Sequence, residues 1–421
     1  MAASSSRHIQ HPVALAALLS LLAMFGPFTI DAFFPAFNAV ALDLNANPVE
    51  MQQTISLYLV GYALMALVHG PMSDRFGRRR IILFGVVAYA IASLGCALAT
   101  TIESLWLFRF LQGCTTGAGL IVGRAIIRDL YHGAEAQRIL AMTSMFFGVA
   151  PAVAPAIGAA VFDLAGWHAV FFMLVLYGLG LWLLCSLVLP ESHPPERRIQ
   201  LSPRSLVQTY WRISTDRDFV WLVMASGLNF AAMFVYISSA PVFIEQHMHL
   251  GTHGYPWFFI PLITGMTLGA ASSARMAGRI SPRASVIYGY RIMAVAMLCN
   301  LAYAWLQPVP TAPWAVLPIA LYGLGSSMAQ PALNLSMLDR HGSHRGSAAS
   351  VQGFLWSVLL AVVSGAIAAW ASVSTGRLAW CSIGFFGLAF ACYYLARHAV
   401  PDSKQIQVQP DPEDETAAAA K

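Results

Sequence analysis

An ionisable side chain inside an apolar run is expensive to bury, and it marks function by default. Asp31 stands in the apolar run 13–34, and Arg109 and Gln112 stand in the run 104–127. Asp31 lies a few residues from the outer end of its run and Arg109 about five residues inside the outer end of its own, so at about 1.5 Å per residue they reach similar heights. That places them within reach of one another. Burial and a neighbouring guanidinium pull a carboxyl's protonation equilibrium in opposite directions, and their balance suits a site that exchanges protons. The hypothesis is that Asp31 alternates between protonated and substrate-competent states, with Arg109 and Gln112 tuning it. The plainer alternative is that Asp31 only caps its helix at the membrane interface.

Two further stretches carry unusual residues. Gly70–Arg80 reads as a short charged turn between two apolar runs, with Asp74, Arg75, Arg78, Arg79 and Arg80 ionised in a chain that is 10% charged. Pro151 and Pro155 sit four residues apart in a helical run, each removing a backbone donor. With Gly148 and Gly158 nearby, this segment is able to bend and to admit a close neighbour. Tyr58, Tyr62, Asn229, Phe230, Phe234 and Tyr236 are candidates for lining a central cavity, because aromatic walls hold varied lipophilic molecules by area. Taken singly, each of them reads more readily as packing or as lipid-facing than as cavity lining.

The elements that position these residues follow from composition. The 421 residues are 58% hydrophobic with mean hydropathy +0.64, far too apolar for one soluble core. Apolar runs of about 20 residues, each long enough to cross a bilayer, are expected at 13–34, 51–71, 80–100, 104–127, 138–162 and 168–189. A second group is expected at 218–243, 255–277, 284–306, 314–337, 348–371 and 378–399. The fold class is thus an all-α integral membrane protein of twelve helices in two bundles. The domains are 1–189, a linker 190–217, a second bundle 218–400, and a disordered acidic tail 401–421. Arginine clusters fall at alternate ends of the spans (Arg75 to Arg80, Arg124 to Arg138, the linker, Arg275 to Arg283, Arg340 and Arg345), whereas the opposite loops hold acids and Arg377. The positive-inside rule then puts both termini and the linker in the cytoplasm. A shift of 204 aligns Gly61, Arg75, Arg79 and Gly85 with Gly265, Arg279, Arg283 and Gly289, a faint parallel repeat.

The six cysteines lie in or at the ends of apolar runs without a C-x-x-C pair, which favours packing over disulfide or metal chemistry. His247, His249 and His253 have no acid or cysteine to complete a metal geometry. No phosphate-cradling loop or nucleophile–base pair is present, so neither ATP nor catalysis is expected. The net charge of +5 resides in short loops, not on a nucleic-acid-binding face.

In this order the motifs resemble the major facilitator superfamily over residues 13–400. Gly70–Arg80 is similar to its signature between spans two and three. Arg109-Phe110-Leu111-Gln112-Gly113 resembles the R-x-x-Q-G element of its proton-coupled drug antiporters. Ala150–Gly158 resembles their span-five signature in the form found in the Bcr/CflA multidrug branch, as do Ile30–Ala36, Arg124–Asp129 and Leu189–Ser192. Phe33 and Phe34 depart from the branch's Tyr-Leu, Ala159 replaces a glycine, and Gly278 stands where the repeat partner is Asp74.

The resemblance implies a proton-coupled antiporter exporting small drug-like molecules across a bacterial inner membrane, monomeric, with the proton as coupling ion and no cofactor or metal. A dedicated exporter of one metabolite is the alternative. It also implies that Asp74 contacts the start of span eleven near Arg345–Ser350 and pairs with Arg78 and Asp129. With Gly70, Arg75 and Gly77 these would form a cytoplasmic latch. A carboxylate at a helix N-terminus contributes about 0.3–1 kcal/mol, enough to bias a conformational equilibrium. The span-five motif is implied at the interface between halves, opposing proton leakage.

Overall fold

The computed structural model describes residues 12–198, 202–307 and 309–402, so the tail expected after 401 falls outside it except for its first two residues. The described residues form helices joined by short turns, with no strand among them. Apolar sequence in a bilayer leaves little choice, because a helix satisfies its own backbone groups where water is absent.

Helix α1 (Pro12–Asp31) ends at the candidate aspartate and passes through a 3-10 turn into α2 (Phe37–Asp43). Helix α3 (Pro48–Ala66) starts on a reciprocal cap between Asn47 and Glu50, then bends by 46° into α4 (His69–Phe76). Helices α5 (Arg78–Ala97), α6 (Ile102–Leu130) and α7 (Gly133–Val188) follow. The linker holds α8 (Pro203–Ser214). After it come α9 (Arg217–Ser238), α10 (Tyr255–Met276), α11 (Pro282–Leu306) and α12 (Leu317–Asp339). The chain closes with α13 (Arg345–Val362), a π-turn into the short α14 (Ala369–Ala371), and α15 (Thr375–Ala396).

Among the described residues, nine helices are long and apolar enough to cross a membrane, and the bent α3–α4 pair adds a tenth. Helix α7 has 56 residues, about 84 Å at 1.5 Å per residue, against a hydrocarbon core of about 30 Å. It breaks at Ala165 and Gly166, whose backbone angles are not helical. The break falls between the expected spans 138–162 and 168–189. The prolines Pro151 and Pro155 do not interrupt it.

Gly70–Arg80 is not the turn expected from its charge. It is helical up to Phe76, and a single residue, Gly77 at φ +97°, turns the chain into α5.

Before the linker, α1 packs on α6 and α7, α3 on α6, and α5 on α6 and α7. After it, α9 packs on α15, α10 on α12, and α11 on α12 and α15. Across the linker, α3 meets α13 and α7 meets α10. The repeat has a structural counterpart. A Cβ on Gly61 would strike the backbone of α6 at Phe110, and one on Gly265 would strike α12 at Ala320. Small residues at matched positions bring matched helices together.

Candidate functional site

Arg109 is the largest of the fully buried side chains. Its guanidinium lies over the rings of Phe33 (5.0 Å), Tyr58 (5.1 Å) and Phe171 (6.0 Å). Nη1 donates to Gln112 Oε1 at 3.0 Å and to the Thr29 carbonyl at 3.4 Å, while Nε and Nη2 have no partner. Gln112 is held in turn, its Nε2 donating to Ser93 Oγ at 2.8 Å. Three aromatic faces partly replace the lost hydration of the cation. No carboxylate among the described residues neutralises it.

The expected ion pair between Asp31 and Arg109 is therefore not formed in this conformation. Asp31 is 4% exposed and has neither an ion pair nor a side-chain hydrogen bond among the described residues. The two are linked only through the chain, since Thr29 two residues earlier takes the arginine's hydrogen bond. Similar height does not fix rotation about a helix axis, and Arg109 is turned toward the rings. Phe33, one of the residues that depart from the branch pattern, is one of the three rings that hold it.

The span-five motif reaches the same place. A Cβ on Gly158 would fall on the Ala32 carbonyl, so α7 rests directly on the turn that follows Asp31. Helix α7 does pack across onto α10, but the contact fixed for Gly158 lies within the first group of helices. At Gly148 a Cβ would meet nothing within 4 Å.

At the arginine-rich end, Arg78 is the hub. It is 8% exposed, pairs with Asp74 and Ser73, and donates Nε to Asp129 Oδ2 at 3.1 Å. Ser192 donates to the same Asp129 oxygen at 2.8 Å, and Glu191 accepts the Arg78 backbone N–H at 2.9 Å. Asp74, Arg78 and Asp129 thus come together as expected, but among the described residues no ion pair or hydrogen bond joins Asp74 to the start of α13. Tyr210 of α8 donates its hydroxyl to the Leu67 carbonyl at 2.8 Å. Burial pushes its hydroxyl upward, a hydrogen bond with Ser350 opposes this, and the charge of Asp74 adds to it. Gly70 is a candidate without steric cause, and Arg75 is exposed over Phe76.

Gly77 has a strict reason to be glycine: a Cβ there would meet Glu191 and Arg198 at a positive φ. We expect Gly77→Ala to cost roughly 1–2 kcal/mol, read as a lower Tm of the purified protein. An unchanged Tm would show that the turn relaxes freely.

After the linker the acids lie elsewhere than the repeat predicts. Arg340 bonds both Asp216 and Asp218, each at 3.1 Å. Burial raises the Asp216 carboxyl, but the Arg340 hydrogen bond, the Phe219 N–H and the charges of Arg340 and His341 outweigh it and hold it below its ordinary value.

Hydrogen bonds that cross from residues 12–188 to the chain beyond 217 run from the middle of α3 to the end away from the linker. Ser56 donates to the Ala361 carbonyl (2.8 Å), Gln53 to Gly365 (2.8 Å), and Gln52 to Ser238 (3.0 Å). Asn38 Nδ2 donates to Glu245 Oε2 (2.7 Å), and the Tyr255 hydroxyl lies against Phe34 O (2.9 Å) and Glu245 Oε1 (3.0 Å). Phe34 stacks on Phe259 of α10. Glu245 entered the sequence reading only as one acid among several in these loops. Its partner Asn38 is too distant along the chain for any local pattern to reveal. The Leu189–Ser192 motif did signal Glu191 and Ser192.

The proposed cavity residues divide. Tyr58 bonds within its group, at 3.1 Å from Gly26 O and 2.9 Å from Thr116 Oγ1. Asn229 accepts from Tyr322, and Tyr236 pairs with Asn300. The space beside Tyr236 is about 10 Å³, room for one water and no more. Phe234 is buried as well. Tyr62 and Phe230 are half-buried, and Phe230 is stacked between Phe234 and Trp356. Of the histidines, His247 contacts the Ser372 carbonyl at 2.7 Å and His253 pairs with Asp163 at 2.8 Å.

Comparison with known proteins agrees with this architecture. The family described as Major Facilitator Superfamily matches residues 14–365. An MFS-type transporter, YdgK of Bacillus subtilis (strain 168), is 33% identical over 84% of this chain and 88% of its own. A bicyclomycin resistance protein homolog of Haemophilus influenzae (strain ATCC 51907 / DSM 11121 / KW20 / Rd) is 27% identical over 62% of this chain and 66% of its own. In fold, the chain is similar to the xylose transporter XylE from E. coli in a partially occluded inward open conformation. The TM-score is 0.71 at 14% identity, covering 94% of this chain and 100% of that one.

Proposed function

Because the chain belongs to the Major Facilitator Superfamily, we propose that it is a proton-coupled antiporter exporting small lipophilic compounds across a bacterial inner membrane. Twelve spans form two six-helix bundles, the bent α3–α4 pair, the two arms of α7 and the polar α12 completing the count. The arginine-rich end and the linker face the cytoplasm. The bundles rock about a central site, alternately opening to either side.

The observation that carries this reading is Asp31, a buried carboxylate without counter-charge in the first span. Such a group stays in an apolar span only if its proton comes and goes or a substrate charge completes it. The bicyclomycin-resistance relative supports drugs as the substrate class. The cross-linker hydrogen bonds away from the cytoplasmic end support a conformation closed to the outside.

We expect purified protein in weakly buffered detergent to release protons on addition of a transported drug. Absence of release for every compound to which the protein confers resistance would overturn antiport. Resistance to none of a broad panel would leave a dedicated metabolite exporter.

A further inference from the structure

The outer gate contains more acceptors than protons. Tyr255 has one hydroxyl hydrogen and faces two acceptors, Phe34 O at 2.9 Å and Glu245 Oε1 at 3.0 Å. The Phe34 carbonyl also accepts the Phe37 N–H, but an ionised Glu245 offers only lone pairs, so one of the two close oxygen–oxygen contacts of Tyr255 has no hydrogen in it. A proton on Oε1 resolves the conflict. Glu245 then donates to the Tyr255 oxygen, Tyr255 donates to Phe34 O, and Asn38 still donates to Oε2 at 2.7 Å. We propose that Glu245 is a second proton-binding site, separate from Asp31, whose proton comes from the outer medium and holds the outer gate shut.

The two sides of the gate make this a switch. Glu245 and Tyr255 belong to the chain after the linker, Asn38 and Phe34 to the chain before it. Opening breaks the bonds to Asn38 and Phe34 and keeps the one between Glu245 and Tyr255. In the open gate an ionised Glu245 takes the tyrosine's hydrogen without a rival; in the closed gate Phe34 O claims it. The step is a single protonation, in which one O–H bond forms on the carboxylate and nothing leaves. Burial pushes the Glu245 carboxyl above its ordinary value, against the hydrogen bonds from Asn38 and Tyr255.

Among the described residues no cation pairs with Glu245. Asn38 faces it from α2 and Tyr255 from α10. On its own turn, His247 is held by the Ser372 carbonyl. Of the other charged groups at this end, Asp43 pairs with Trp167, Asp163 with His253 and Glu50 with the Asn47 N–H, Arg377 lies over Trp370, and Glu103 and His249 make no ion pair or hydrogen bond with Glu245. The sign follows from linkage. The carboxyl binds its proton more tightly in the closed gate than in the open one, so acid outside shifts the population toward closed.

The sidedness, though not the hydrogen count, rests on the transporter reading, and the test separates the two. Spin labels at Leu42→Cys and Val309→Cys, both exposed positions, report the gate by pulsed electron resonance in the full chain with its native cysteines replaced by alanine. Without substrate, the closed population should grow as pH falls, the closed-to-open ratio changing up to about tenfold per unit difference in pKa between the two states. Glu245→Gln should stay closed at all pH values, because its amide donates to Tyr255 as the acid would. Tyr255→Phe should loosen the gate and also abolish its pH response. The same pH response in wild type and Glu245→Gln, an unaltered response in Tyr255→Phe, or opening on acidification would each overturn the proposal. In Asp31→Asn the gate should still titrate. If wild type shows this titration yet releases no proton to any drug, antiport fails and the Glu245 site stands.

Discussion

Replacing Asp31 with asparagine is expected to abolish drug-induced proton release and gradient-driven export while leaving the protein folded. The carboxylate is 4% exposed, and no cation or hydrogen-bond donor offsets its charge. Asparagine keeps the shape and removes the titration. An unpaired charge in an apolar span stabilises nothing, so its loss should leave Tm unchanged or raise stability by about 1 kcal/mol. Lost coupling without lost stability is the pattern of a proton carrier; Asp31 is the last residue of α1, where a carboxylate finds free carbonyls and no N–H to cap. The measurements are proton release in weak buffer and a thermal melt on the same preparation. Normal release from Asp31→Asn would remove Asp31 from the coupling site.

Much of this arrangement is legible in the chain because a membrane reduces the choices. Apolar runs must be helices, arginines mark one end, and an acid such as Asp31 stands out by composition alone. Rotation about a helix axis is what escapes. Each residue turns the side chain by about 100°, so depth places Asp31 and Arg109 at one level without turning them toward each other. The rings of Phe33, Tyr58 and Phe171 took the guanidinium instead. Hydrophobicity likewise cannot separate a ring that lines a cavity from one that fills a core, which is why Tyr58 and Tyr236 prove to be internally bonded. Charge density made Gly70–Arg80 look like a turn, yet a single glycine at positive φ sufficed.

Contacts remote in sequence escape for a different reason. Asn38 and Glu245 are 207 positions apart, and Tyr255 reaches back to Phe34 across 221. Neither residue is unusual for its neighbourhood, so nothing local announces the pair. The cluster at the arginine-rich end is intermediate. Asp74, Arg78 and Asp129 are visible as charges in a charge-poor chain, but Tyr210, which bonds the Leu67 carbonyl, comes from the linker, where sequence shows only polarity.

Gly158→Val is expected to lower stability and coupling together, the reverse of the Asp31→Asn pattern. The first added carbon would fall on the Ala32 carbonyl, and backbone is not a neighbour that swings aside. Helices α1 and α7 would have to separate along the turn that carries Asp31. Overpacking of this kind costs roughly 1–3 kcal/mol. Because α7 seats the last turn of α1, the carboxylate would be displaced as well, and substrate-induced proton release should fall with Tm. Gly148→Ala supplies the contrast from the same motif and the same helix. A Cβ there meets nothing within 4 Å, and alanine is the better helix former, so stability should hold or rise by up to about 1 kcal/mol with release intact. If both substitutions were silent, the α1–α7 approach would not matter to the site. If both were damaging, the motif would act through its bending and not through the one close contact. The expected split, harm at Gly158 and none at Gly148, assigns the motif's glycine requirement to the carbonyl of the residue that follows Asp31.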